Sequence, residues 1–438
     1  MAETSRISFS ALGQRAAPPT IAKLMAMALE NPELLSIAAG FTDNSTLPVE
    51  QVRHVVNSLA DRDESAEYLQ YGSNHGRPGL RKLLSEHLCR SETALDYHDV
   101  QRGCFITNGS QQALYLAMQV LCNPGDIVLV DRPSYFVFLE MLKGLGIEAK
   151  SIPVDDEGVV DGPALAALVD SLRASGDAER IKAVYFVSYY SNPSGRSLTR
   201  DEKATIATVL TAAEVVVPVI EDAAYRDIYY REPWPAPSVL TMAEWADFPK
   251  LYTSTLTKPF STGLKVGFAT CTDVEWRAKM LHVKAHHDFG TANFNQRICE
   301  EVLADGGLDR QLQRIRPAYE AKMRALDGAL REGGLLELGW QWAEPAGGLY
   351  LWLTAPDGID TGLESDFCHA CVAAGVLYVP GELCFGDVPP RSCIRLSFGV
   401  LGQTQLHEAA RRLVSVAHRF ADVSETSPLS VKTNLDRR

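Results

Sequence analysis

The chain has 438 residues, 46% of them hydrophobic and 22% charged, with a formal net charge of −13. That length exceeds one ordinary core and predicts two or three domains. The acidic balance repels nucleic-acid phosphates, no cluster of Lys and Arg counters it, and no apolar run is long enough to cross a bilayer.

Met1 to Thr20 is polar and lacks an apolar secretory segment, so 1–20 reads as a mobile N-terminal arm of a cytoplasmic protein. The nine cysteines are scattered and odd in number. They speak against a disulfide framework and for a reducing compartment. Residues 21–48 precede the first alternating unit and are expected to pack with a smaller C-terminal domain.

From 49 to 304 strand and helix signals alternate. Phe105–Thr107 reads as a strand and Ser110–Cys122 as a helix that is apolar on most of its surface. Asp126–Val130, Val184–Val187, Val215–Ile220, Leu251–Ser254 and Val266–Thr270 are further strands, with a helix over Arg200–Ala213. Continuous apolar strands separated by helices predict a mostly parallel sheet covered on both faces, an α/β fold. Pro218 cannot donate to a ladder, so its strand is expected to be irregular there.

The pattern changes after 304. Leu308–Glu332 reads as a long amphipathic helix, Leu349–Leu353 and Ile394–Phe398 as strands, and Gln403–Phe420 as a final helix. Together they predict a smaller α+β domain over 305–420. The remainder, 421–438, is Ser-, Thr- and charge-rich and reads as a mobile tail. Cys368 and Cys371 form a C-x-x-C, but Glu364–Ala374 reads as a helix on which both thiols share a face. Neither a second such pair nor a nearby His pair completes a zinc site.

Four short motifs sit at the ends of predicted strands, where open α/β sheets bind ligands. Asn108-Gly109-Ser110-Gln111-Gln112 is a small-residue turn opening a helix, which suits a phosphate. Alone it reads equally as a plain cap, with Ser110 as the capping residue. Ser191-Asn192-Pro193-Ser194-Gly195 offers an amide donor, although alone it is a Pro–Gly turn. Glu221-Asp222-Ala223-Ala224-Tyr225 ends a strand with a carboxylate suited to a buried cation such as a pyridinium nitrogen. The fourth motif runs from Thr255 to Gly267. It sets Lys258 between hydroxyl residues, with Lys265 seven positions on. Lys258 can form a Schiff base with an aldehyde, and Thr255, Thr257 and Lys265 can hold a phosphate. Each motif has a bland alternative by itself; their order and strand-end placement together do not.

As a set, these motifs make the sequence resemble the fold-type I, pyridoxal-phosphate-dependent aminotransferases of class I/II. Within them it resembles the branch containing 2-aminoadipate and kynurenine aminotransferases. The resemblance runs from about Leu34 to Phe420. It includes NGSQQAL at 108–114, PSY at 133–135, NPSG at 192–195, EDAAY at 221–225, GGLYLW at 347–352 and IRLSF at 394–398. It implies a large cofactor-binding domain with a mostly parallel sheet and a smaller domain beside it.

By that resemblance, Lys258 holds the cofactor as a Schiff base and shuttles the proton at the substrate α-carbon. Asp222 pairs with the pyridinium nitrogen, Asn192 and Tyr225 bond the ring's phenolic oxygen, and Tyr135 stacks on the ring as a catalytic neighbour. Ser110, Gln111, Thr255, Thr257 and Lys265 hold the phosphate. Arg395 grips the substrate α-carboxylate, with Gly40 and Asn192 beside it. Tyr71 enters the partner subunit's site, which implies a homodimer acting on an amino acid and a 2-oxo acid, without a metal. The resemblance further implies passage through an external aldimine and a quinonoid.

Several residues depart from the family pattern. Lys265 stands where arginine is usual, and keeps the charge without the planar fork. Thr255 and Thr257 replace serines, Pro259 follows the lysine, and NPSG replaces the commoner NPTG. Ile37 to Phe41 replaces the usual glycine-rich stretch near substrate. His286 and His287 fall where the family often places substrate-facing residues, and read equally as structural. Relatives that share the constellation eliminate, replace or cyclise, for example on S-adenosylmethionine, or act as oxidases or decarboxylases, and that alternative stays open. Some transcription regulators carry such a domain behind a basic winged helix, whereas only a short polar arm precedes the fold here. The presence of Lys258, Asp222 and Arg395 reads against a catalytically dead scaffold.

Overall fold

The computed structural model describes residues 7–31, 33–61 and 66–425. In chain order its strands are β1 (Leu35–Ser36), β2 (Cys104–Asn108), β3 (Ile127–Val130), β4 (Glu148–Ser151), β5 (Ile181–Val187) and β6 (Val219–Asp222). They continue with β7 (Lys250–Thr255), β8 (Val266–Cys271), β9 (Tyr350–Thr354), β10 (Val376–Leu377), β11 (Val379–Pro380) and β12 (Cys393–Ser397).

Seven strands form the central sheet in the order β2-β8-β7-β6-β5-β3-β4. The pairs from β7 to β4 are parallel, and β8 runs antiparallel to both β2 and β7. The burial of β3 shows why its apolar run does not alternate with polar residues. Ile127 and Leu129 pack on one side with Leu165, Val169, Ile206 and Leu210. Val128 and Val130 pack on the other with Ala113, Phe138, Leu142 and Met280. Helices cover both faces, so each strand side chain needs an apolar partner whichever way it points. The fold is therefore α/β with a mostly parallel, doubly covered sheet.

Local chemistry sets the helix limits. Thr199 and Glu202 form a reciprocal capping box at the start of Arg200–Ala212. Asp161 caps Gly162–Ala174, and Gly146 ends Phe136–Leu145 at φ +79°, in the left-handed region that favours glycine.

Beyond the sheet, the long helix Gly307–Glu332 packs against the last helix, Gln403–Glu425. The antiparallel sheet β11-β12-β9 lies beside them. The N-terminal segment joins this part through the parallel pair β1–β10 and through Ser397 N–H donating to Ile37 O at 2.7 Å.

Several expectations need correction. The strand expected over Val215–Ile220 begins only at Val219. Pro218 lacks the N–H but lends its carbonyl to Val184 N–H at 2.9 Å. The sheet's edge strand β4 was not expected, because its sequence EAKS is polar and half-buried. In the stretch expected as a mobile arm, Ser10 caps a short helix, Ala11–Arg15. Arg15 docks it by donating to Gly144 O (3.1 Å) and Leu145 O (3.2 Å). The last helix continues past Phe420 to Glu425, into the expected tail. Residues 1–6 and 426–438 of the expected arm and tail lie outside the described residues. Among the described residues, no helix is long and apolar enough to cross a membrane.

Candidate functional site

A cavity of about 600 Å³ opens where β5, β6 and β7 end. Its wall includes Asp222 at the end of β6, Thr255 at the end of β7, and Ser110 and Gln111 in the first turn of the helix Gly109–Leu121. That helix begins closer to the strand than expected. Asn108 is the cap residue and makes no side-chain cap bond, so Ser110 lies inside the first turn rather than capping it. An uncapped first turn of an α-helix suits an anion. Gly109 turns the chain into it at φ +67°. Strand β8 passes so close that a Cβ on Gly267 would sit 2.4 Å from the Gly109 carbonyl carbon. Gly267 is therefore the residue that lets the sheet touch the helix start.

The lysine segment lies between β7 and β8. Thr255 Oγ donates to Thr257 Oγ at 2.8 Å, and Lys265 takes a left-handed φ of +56° at the foot of β8. Lys258 Nζ points into the cavity and donates to Gly40 O at 2.8 Å. Burial lowers the pKa of the Lys258 amine, and the charges of Arg395 and Lys265 push the same way. A lysine so placed is biased toward the neutral, nucleophilic form.

Asp222 lies deeper. Its Oδ1 accepts Ala224 N–H at 3.0 Å and its Oδ2 accepts the Tyr185 hydroxyl at 3.2 Å. Burial nevertheless pushes its carboxyl up to about 6. Nearby, Asp131 Oδ2 accepts Val187 N–H at 2.9 Å, and burial pushes this second carboxyl up to about 7.

Across the cavity, Arg395 is 1% exposed and comes from β12. Its Nη1 donates to Asn192 Oδ1 at 2.8 Å and its Nη2 to Ala38 O, while its buried Nε has no partner. The ring of Tyr350 lies beneath it, 4.6 Å from the guanidinium. Tyr350 also shares a 2.9 Å hydroxyl–hydroxyl hydrogen bond with Tyr225. Burial, then proximity to Tyr350, drives the Tyr225 phenol well above its ordinary pKa. Tyr135 lines the same wall, and burial raises its phenol too.

The cavity thus gathers Gly40, Ser110, Gln111, Tyr135, Asn192, Asp222, Tyr225, Thr255, Thr257, Lys258, Lys265 and Arg395. It does not include Tyr71, which is 81% exposed and packs edge-on against Phe289. His286 and His287 also lie off it, at the end of the helix Val274–His287. His287 stacks on Tyr115 at 5.7 Å. Cys368 and Cys371 are buried in the helix Asp366–Ala373, and burial raises the Cys371 thiol. Sequence reasoning missed Tyr350, Tyr185 and Phe136. Tyr350 sits in a motif that was recognised, GGLYLW. Tyr185 is hidden inside an apolar strand.

A family model described as aminotransferase class I and II matches residues 34–413. The aromatic-amino-acid aminotransferase 1 of Thermococcus litoralis is 31% identical over 410 residues, covering 93% of this chain and 92% of that one. The 2-aminoadipate transaminase of Thermus thermophilus is 29% identical over 396 residues, covering 90% and 92%. A kynurenine aminotransferase structure from Pyrococcus horikoshii superposes with a TM-score of 0.83 at 26% identity, covering 94% and 97% of the two chains. A match over most of the chain's length fixes the family, and the chain belongs to the class I and II aminotransferases, enzymes that depend on pyridoxal phosphate.

Proposed function

We propose that this cavity holds pyridoxal phosphate on Lys258 and moves an amino group from an amino acid to a 2-oxo acid. The observation that carries the reading is the single cavity shared by an enclosed amine, a buried carboxylate, an uncapped helix turn and a buried arginine. The residues present fit the cofactor. Asp222 is a buried carboxylate on the cavity wall, and Arg395 keeps an unpartnered buried Nε. When bound, the cofactor supplies an aldehyde for the substrate amine and a cationic ring that stabilises negative charge at the α-carbon.

The chain's own residues divide the remaining work. Ser110, Gln111, Thr255, Thr257 and Lys265 hold the phosphate at the helix start. Asp222 keeps the ring nitrogen protonated, and Tyr185 fixes the orientation of that carboxylate. Asn192 gives its Oδ1 to Arg395, which leaves its amide N–H for the ring's phenolic oxygen, beside the Tyr225 hydroxyl. Tyr135, on the cavity wall, would pack against the ring. Arg395 takes the α-carboxylate with its planar fork. Lys258 Nζ would remove and return the α-proton as a general base and acid. Gly40 borders the substrate, since it lines the cavity and its carbonyl accepts Lys258 Nζ.

Residues 49–304 form the cofactor-binding domain and 305–420 the smaller one, with 21–48 packed on the latter. Two chains form a homodimer in which Tyr71 enters the partner subunit's cavity, as its exposure suits. The protein works in the cytoplasm; no disulfide joins any of its nine cysteines, all within the described residues.

The test adds single amino acids to the purified holoenzyme without an oxo-acid acceptor. Loss of visible cofactor absorption, with one oxo acid released per active site, supports the reading. Product in excess of enzyme without an acceptor replaces transamination with elimination or replacement. A protein that gains no visible absorption from added pyridoxal phosphate refutes the reading altogether.

A further inference from the structure

Four charged side chains line the cavity among the described residues: Asp222, Lys258, Lys265 and Arg395. On the proposed function, which this inference rests on, each is already committed. Asp222 meets the ring nitrogen, Lys258 the aldehyde, Lys265 the phosphate and Arg395 the α-carboxylate. No lining cation among the described residues is left for a distal carboxylate, and no lining carboxylate for a distal ammonium. Of the uncharged residues left over, Gly40, Phe41, Phe136, Val137 and Tyr350 form a largely apolar side, while Asn108 and Thr262 are polar without charge. The Tyr350 hydroxyl is occupied by Tyr225.

Phe41 stands out on this wall. Its neighbours Ile37 and Ala38 are buried at 0% and 1%, yet Phe41 keeps 48% of its surface exposed. It follows Gly40, whose carbonyl receives Lys258, and it lines the same cavity as that amine. The segment proposed to enter from the partner presents apolar side chains beside the polar Gln70. Tyr71 and Phe289 pack edge-on at 5.6 Å, and Leu69, two positions before Tyr71, is 68% exposed.

We infer that the amino-acid donor carries an uncharged apolar side chain, aromatic or long aliphatic, and that Phe41 is the wall that selects it. Enclosing a charged side chain without a partner is strongly unfavourable, whereas an apolar one gains by leaving water.

Half-reactions of the holoenzyme test this with phenylalanine, tryptophan, leucine and methionine against aspartate, glutamate, 2-aminoadipate and lysine. The best apolar donor should exceed every charged one by about a hundredfold in kcat/KM. Phe41→Arg should shift the ratio toward the dicarboxylic donors by about tenfold or more. A charged donor within a few fold of the best apolar one in the unaltered enzyme overturns the inference. Equilibrium binding of unreactive acids, read from the visible absorption, separates this from failure of the transamination reading. 3-Phenylpropanoate should bind about tenfold more tightly than glutarate. If no amino acid reacts but this preference holds, transamination falls and the apolar pocket stands. If glutarate binds as tightly, or neither acid binds, the apolar pocket falls.

Discussion

The hydroxyls of Tyr225 and Tyr350 lie 2.9 Å apart, joining the end of the central sheet to the first residue of β9 in the smaller sheet. Tyr350 also places its ring 4.6 Å from Arg395, so one side chain braces the residue beside the cofactor and the residue proposed to grip substrate. Tyr350→Phe keeps the ring and removes the brace. A buried hydroxyl left unpaired costs about 1–3 kcal/mol. Steady-state kinetics should show kcat/KM reduced by about tenfold or more, with cofactor retained. Unchanged kinetics would remove Tyr350 from the site.

Burial raises Asp222 to about 6 and Asp131 to about 7, both above the roughly 3.9 of an unfolded aspartate. Between those values the folded apoprotein holds protons that the unfolded chain has released. Their stabilising contribution is complete below about pH 4 and is lost as pH rises through about 6 and 7. Calorimetry of the apoprotein should show Tm falling across that window, with Asp222 accounting for about 3 kcal/mol. Asp222→Asn should flatten its share of the slope. Superposable curves for the two proteins would contradict the assignment.

Behind Asp222, on the opposite face of β6, Glu221 pairs with Lys203 at 2.9 Å, and both side chains are wholly buried. Lys203 Nζ also donates to Pro237 O at 2.8 Å, and Glu221 accepts Ser188 Oγ at 2.6 Å. Lys203→Met leaves that carboxylate without its cation, at a cost of about 3–5 kcal/mol. Adding Glu221→Gln should recover part of the loss, since the stranded charge is gone. Urea unfolding of the single and double variants measures both effects; equal stability of all three proteins would count against the pair.

Gly267→Ala places a methyl 2.4 Å from the Gly109 carbonyl carbon and 2.7 Å from Ser110 N. Both atoms are backbone and cannot swing aside, so β8 and the helix start must part. The expected result is about 1–3 kcal/mol of destabilisation and weaker cofactor affinity. Equilibrium dialysis against pyridoxal phosphate reads the second effect, and affinity equal to that of the unaltered protein would exclude it.

What was legible in the sequence was mostly local. Runs such as IVLV and IKAVYFV declare buried strands, and Lys258, Lys265 and the two threonines lie within one short stretch. Pro218 marked its own irregularity, because a missing N–H is visible without a fold. The reversed direction of β8 was not legible, since an apolar strand reads the same either way. Nor was β4, whose polar residues sit at a sheet edge. Partnerships across the chain were hidden for a different reason: Asn192 and Arg395 meet across 203 positions, and no local pattern encodes that. Arg395 itself came from a motif, but the carbonyls of Ala38 and Gly40 that meet Arg395 and Lys258 are backbone groups, which sequence does not label.

The antiparallel turn from β7 into β8 has a bearing on how the protein comes apart. The amine and the phosphate-side residues of that turn are held by neighbouring strands that form one local unit. The arginine reaches the cavity only when distant parts of the chain are assembled. Loops closed over long separations are the more expensive to keep ordered, and different regions of a fold open at different free energies. Under rising denaturant, capture of the carboxylate should therefore fail first. The enzyme would pass through a state that still carries its visible colour but no longer answers to substrate. Loss of both signals at one urea concentration would show instead that the two parts unfold as one.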